Sequence, residues 1–118
     1  MTPVREACLR LVSERGLEVR GGRSIFVPEL DLQRYLEIRM IRAVLEGMAT
    51  ELAAAHAVSA DIHCLSGIQA RFERARHDGD LRAAIAANRE FHFGVYELCR
   101  KNLLLHQIEV MWISMGPI

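Results

Sequence analysis

Apolar residues recur every three or four positions along most of the chain, and only between residues 17 and 27 does that rhythm give way to a shorter one. Val4, Cys8, Leu11 and Val12 share one side of a helix expected over residues 3–15. Thr2 is placed to cap it, with Pro3 in the first helical position, where a missing N–H costs no ladder bond. Arg5 and Arg10 point elsewhere, and Gly16 offers a left-handed stop. Leu17–Arg20 and Ser24–Val27 are short β-prone runs separated by Gly21, Gly22 and Arg23, a turn that tolerates positive φ, so a small hairpin with Arg23 at its tip is expected.

Pro28 closes the second strand and Asp31 can cap a helix starting at Leu32, which puts a boundary near residue 30: residues 1–30 form one domain and 31–118 another. From Leu32 to Ala57 a long helix carries Ile38, Ile41, Leu45, Met48 and Leu52 as its stripe. Ser59 is the expected N-cap of a second, with Asp61 in its first turn and Ile62, Leu65, Ile68 and Phe72 repeating up to about His77. After the turn Asp78-Gly79-Asp80, a third helix to about Arg100 has Leu81, Ile85, Val95 and Cys99 on its inner face. A fourth starts at Asn102 and buries Leu104, Leu105, Ile108, Trp112 and Met115 until Gly116-Pro117 stops it. The fold class is mainly α, a helix and hairpin followed by an antiparallel helical bundle, because short turns make each stripe find its partner in the next helix.

At 118 residues, about half of them apolar, the chain holds one full core and little more. Lys+Arg and Asp+Glu balance at 15 each, so any nucleic-acid surface must come from local clustering. Cys8, Cys64 and Cys99 sit at helical core positions without metal or disulfide spacing, and no segment has the roughly 20 apolar residues that span a bilayer; a cytoplasmic protein with no membrane partner is expected.

The order of these elements, and several of their words, resemble GntR superfamily transcription regulators of the FadR/VanR type. Thr2-Pro-Val-Arg-Glu-Ala7 and Gly16-Leu-Glu-Val-Arg20 are similar to the recognition helix and the start of the wing, and Arg23-Ser-Ile-Phe-Val27 to the returning wing strand. Arg42-Ala-Val-Leu-Glu-Gly47 resembles the first helix of the FCD effector domain, and Asn88-Arg-Glu-Phe-His92 its metal-bearing helix. The resemblance implies a partial winged helix over 1–30 and an incomplete FCD bundle over 31–118. It implies a dimeric regulator, not an enzyme, that meets operator DNA and senses a small carboxylate. Two helices normally precede the recognition helix, so this stretch alone is expected to bind specific DNA weakly or not at all.

Six candidate site residues lie in the first domain. Thr2, Pro3 and Arg5 open the recognition helix, where Arg reads guanine bidentately; Arg20, Gly22 and Arg23 belong to the wing. The bland alternative is a set of solvated arginines. Arg42 is the implied effector contact, against an i,i+4 surface pair with Glu46. Asn88 and His92, one turn apart, are expected to face the interior together. The resemblance implies two ligands of a zinc, nickel or manganese ion there, its other ligands lacking in this chain; the alternative is an internal hydrogen-bonded pair. His56, His63, His77 and His106 lack metal spacing, and Trp112 is core or dimer-interface material. The competing function is a helical metabolite-binding or interaction module that does not touch DNA. An enzyme built on His92 with Glu90 or Glu97 is weaker still, because neither glutamate shares the histidine's face.

Overall fold

The computed structural model describes residues 2–22 and 24–115. Helix α1 (Thr2–Ser13) leads into strands β1 (Glu18–Arg20) and β2 (Ser24–Phe26), then helices α2 (Leu32–His56), α3 (Ser59–His77), α4 (Leu81–Glu97) and α5 (Asn102–Met115). The fold is mainly helical with one two-stranded antiparallel sheet, as the patterning predicts. The described residues hold no helix long and apolar enough to cross a membrane. Contacts divide the chain into two compact units, one of Met1–Leu45 with His106–Ile118 and one of Glu46–Leu105.

In the first unit α1 ends sooner than expected, and Arg15 rather than Gly16 takes the left-handed conformation, at φ 64°. Gly16 is small for another reason: a Cβ there would overlap Cγ2 of Ile113. The end of α1 is closed by the amides of Gly16 and Leu17, which both donate to the Leu11 carbonyl at 2.8 and 3.2 Å. The hairpin pairs Glu18 with Phe26, Val19 with Ile25 and Arg20 with Ser24, and its turn uses positive φ at Gly21 and Gly22. Asp31 caps α2 as expected, its Oδ1 accepting from the Arg34 amide at 2.7 Å. Arg34 then reaches out from that first turn. Its Nη2 donates to the main-chain carbonyls of Arg15, at 3.0 Å, and Ser114, at 3.1 Å. Ser114 Oγ donates to the Glu14 carbonyl at 3.2 Å. Among the described residues of this unit, Ile38, Ile108 and Met115 are the buried apolar ones, Ile108 completely.

In the second unit α3 and α4 form an antiparallel pair, since Leu65 and Ile68 lie against Gly94 while Arg71 lies opposite Glu90. The cap of α3 is Val58, one residue earlier than expected. Valine has no acceptor to offer, so the Asp61 carboxylate instead accepts from the Val58 amide at 2.9 Å. Asp80 caps α4 by accepting from the Ala83 amide at 3.1 Å, and Gly79 makes the turn at φ 72°. The inner face of α4 is Ala84, Ala87, Phe93 and Tyr96, continued by Cys99, and not the face through Leu81 and Ile85, which are 72% and 51% exposed. The buried positions of α2 in this unit are likewise Ala49 and Ala53 while Met48 is exposed. Alanines let helix backbones approach closely, and that gain outweighs the larger side chains' preference for burial. Of the cysteines only Cys99 is buried; Cys8 is half-buried and Cys64 exposed, and all three are free thiols.

Candidate functional site

The residues singled out by sequence fall in both units, and six of them belong to the helix and hairpin of the first. Thr2 opens α1, though its side chain, like all of Arg23, lies outside the described residues. Pro3 and Arg5 are exposed on the first turn and a half of α1. Arg5 and Gly22 line one groove of about 820 Å³ together with Val4, Cys8, Leu9, Val19 and Ile25. Arg20 is not among those lining residues. It pairs with Glu18 on its own strand and lies over the Phe26 ring, 5.0 Å from its centroid. The recognition-helix and wing candidates thus fall into an open group, Arg5 with Gly22, and one cation that already has an anionic neighbour.

The remaining candidates are Arg42, in the first unit, and Asn88 and His92, in the second. Arg42 is half-buried, its guanidinium stacked 4.3 Å from the centre of the Trp112 ring with Nη1 3.2 Å from Met115 Sδ. Stacking fixes the plane of the guanidinium while its donors stay in that plane. Asn88 does not face the interior with His92: it is exposed, whereas His92 is half-buried. His92 Nδ1 lies 3.5 Å from Tyr96 Oη, which donates to Glu46 Oε1 at 2.5 Å. Tyr96 is buried, so its hydroxyl needs such a partner. Sequence reasoning passed over Tyr96 and weighed Glu46 only as a surface partner of Arg42; the signal was the i,i+4 spacing of His92 and Tyr96, which reads first as two aromatic core positions.

A resident metal asks for at least three donors in reach of one point. Among the described residues no group of three or more His, Cys, Asp or Glu side chains could hold one, and the Asn88 amide, exposed while His92 turns to Tyr96, does not supply the difference. Asn88 and His92 are therefore not brought together as the expected pair of ligands. Glu90, the carboxylate nearest in sequence to His92, is taken in a bidentate pair by Arg71, at 2.8 and 3.0 Å. That pair holds the Glu90 carboxyl below its ordinary range, chiefly through the hydrogen bonds from Arg71.

Comparison with known proteins adds the rest. The family model of the FCD domain matches residues 37–118. The HTH-type transcriptional regulator McbR of Escherichia coli (strain K12) is 37% identical over 117 residues, a span that takes in 99% of this chain and 53% of that protein. The solved structure of E. coli McbR/YncC superposes with a TM-score of 0.91 at 36% identity, covering 97% of this chain and 57% of that one. The chain therefore spans about half the length of the relatives it matches.

Proposed function

The chain belongs to the FCD domain family, of the kind found in GntR-type regulators, and from that we propose that it acts in transcription regulation, meeting DNA through α1 and the β1–β2 hairpin and sensing a small carboxylate through Arg42. The observation that carries this reading is the extent of the likeness to an HTH-type regulator: it runs over 99% of the chain, so α1 and the hairpin lie inside the matched span along with the FCD segment. Residues 1–30 then serve as part of a winged helix and 31–118 as part of the effector domain. In that arrangement Arg5, exposed near the amino end of α1, is the base-reading side chain, and Pro3 and Gly22 let backbone approach the phosphates. Arg42 offers in-plane donors to a carboxylate while Trp112 keeps its plane fixed. The working form is a homodimer in the cytoplasm, since two half-sites are needed to read a pseudo-palindrome. The reading does not depend on a metal. It also asks for no reaction at a bound substrate.

The test is selection of bound duplexes from a random-sequence DNA library by this segment carrying the two helices that normally precede the recognition helix, followed by anisotropy titration of the enriched duplex at several salt concentrations. A motif should emerge, with log K falling steeply against log salt. Arg5→Ala should relax one base position by ~1–3 kcal/mol. No enriched motif together with binding indifferent to salt would favour the helical interaction module that leaves DNA alone, for which the pairing of Arg20 with Glu18 is the one supporting observation.

A further inference from the structure

The last turn of α5 touches two things at once. Trp112 and Met115 hold the Arg42 guanidinium, while the two residues between them, Ile113 and Ser114, hold the carboxyl end of α1. Four consecutive residues in one helical turn move together, because their main-chain bonds fix them relative to one another. Arg34 closes the loop: one nitrogen of its side chain bonds the Arg15 and Ser114 carbonyls, tying the end of α1 and the end of α5 to the first turn of α2, the helix on which Arg42 stands. All of these residues lie within the unit of Met1–Leu45 with His106–Ile118.

At the centre of this joint is a residue in a disfavoured conformation. Arg15 sits at φ 64°, where a Cβ crowds its own carbonyl and where arginine has none of the local side-chain bonds that excuse Asn or Asp. Such a conformation persists only while its surroundings hold it. Here the hold is partly local, the Arg15, Gly16 and Leu17 amides on the Val12 and Leu11 carbonyls, and partly remote, the bond from Arg34 to the Arg15 carbonyl and the Ser114 hydroxyl on the neighbouring Glu14 carbonyl. Loss of those two remote bonds would release the end of α1 from the first turn of α2 and the last turn of α5.

We propose that the Ile113–Ser114 segment of α5 is the coupling element that transmits the state of Arg42 to α1. A ligand that draws the Arg42 guanidinium off Trp112 shifts the α5 turn, weakens the bonds from Ser114 and Arg34, and frees the carboxyl end of α1 to change its pitch. By linkage the effect runs both ways: fixing α1 on a partner favours the state with Arg42 stacked. The assignment of roles to the two ends rests on the function proposed above, whereas the coupling between them is a property of this chain alone.

Amide hydrogen exchange on the full chain tests it without any ligand. The amides of Arg15, Gly16 and Leu17, which bond the Val12 and Leu11 carbonyls, are the reporters, and those of Ala84–Phe93 in α4 are the control. Arg42→Met should speed exchange at the reporters by about five-fold or more while leaving the control unchanged, and Ser114→Ala should do the same. The double variant should exchange no faster than the faster single one, because both changes break the same chain of contacts. Unchanged reporters in Arg42→Met, effects that multiply in the double variant, or equal acceleration of the control would each overturn the coupling. If Arg42→Met does not fold, Arg42→Lys, which keeps charge and stem but loses the planar stack, is read by the same criteria. Duplex binding is scored separately, in the selection described under the proposed function. Coupled reporters without DNA binding would sink the functional reading alone, and DNA binding with uncoupled reporters would sink the coupling alone.

Discussion

The unit of Met1–Leu45 with His106–Ile118 and the unit of Glu46–Leu105 are both mostly helical, yet different bonds hold them. In the second, Ala75, Ala84 and Ala87 are buried along α3 and α4, Gly94 meets Leu65 and Ile68, and Arg71 clasps Glu90 on the surface. The holding contacts are many, and most are individually weak. In the first, a fully buried Ile108 anchors a small core, and the end of α1 depends on a few directed hydrogen bonds from Arg34 and Ser114 to main-chain carbonyls. Among the described residues each unit has one left-handed arginine past a helix end, Arg15 and Arg100, but distributed packing resists being shifted by any one contact, whereas a joint made of three side-chain bonds to main-chain carbonyls can be set or released by one. A helical pair suits a frame and a joint of few bonds suits a moving part, the division of labour that the function proposed above would need.

The comparison is broken most severely through the small core. Ile108→Ala removes a large apolar side chain of the first unit that is wholly out of solvent, and should cost ~2–5 kcal/mol in denaturant unfolding. A loss well under 1 kcal/mol would mean that this core carries little of the unit's stability and that the contrast is false.

A sharper version asks for the same substitution in both units. Gly16→Ala drives a methyl into Cγ2 of Ile113, a β-branched carbon that cannot swing aside, and should cost ~1–3 kcal/mol. Ile113→Leu in that background moves the branch away from the glycine and should recover part of the loss. Gly94→Ala crowds the end of the Leu65 side chain, at 3.0 Å, which can yield, and meets Ile68 Cδ1 at an ordinary 3.9 Å. Its gain in helix propensity, ~0.5–1 kcal/mol, should leave it near neutral. Equal losses at the two glycines would erase the distinction between a stiff joint and a forgiving pair.

Single polar contacts come next. Ser114→Ala leaves the Glu14 carbonyl without its hydroxyl partner and should cost ~0.5–1.5 kcal/mol, with the loss concentrated in local opening of α1. Asp80→Ala, which removes the cap of α4, should cost ~1 kcal/mol in overall unfolding. The two substitutions match in size but not in reach, and exchange rates along α1 separate them.

Much of the frame was legible in the sequence. The pairing of Thr2-Pro3, the Gly21-Gly22 turn, Asp31 and Asp78-Gly79-Asp80 locate ends by local chemistry, and local chemistry is what a sequence carries. The face of α4 was misread because Leu81 and Ile85 are larger than Ala84 and Ala87, and periodicity weighs apolar bulk, while the packed helices there select small residues. Asn88 was carried inward by the same error. The joint was illegible for a different reason. Arg34 finds its acceptors 19 and 80 positions away, and those acceptors are main-chain carbonyls, identical at every residue. A serine on an apolar helix stripe and an arginine after a capping aspartate announce nothing until the fold brings them together.

The smallest expected effect lies on the surface of the second unit. Glu90 has its carboxyl held below the ordinary range by the hydrogen bonds of Arg71, so the folded state binds its proton less readily than the unfolded chain does. The stabilisation from this pair is therefore complete above the carboxyl's unfolded value and fades as pH falls through the lowered folded one. Both side chains are about half exposed, so water and salt screen them and the contribution is slight. Comparing wild type with Glu90→Gln across falling pH isolates it: the wild type should melt slightly higher near neutrality, the difference should close in acid, and added salt should shrink it at every pH. A gap that persisted in acid would show that Gln disturbs the packing of α3 on α4 instead of an ion pair. That would place the second unit's tolerance of single changes in doubt, and with it the contrast between a frame and a joint.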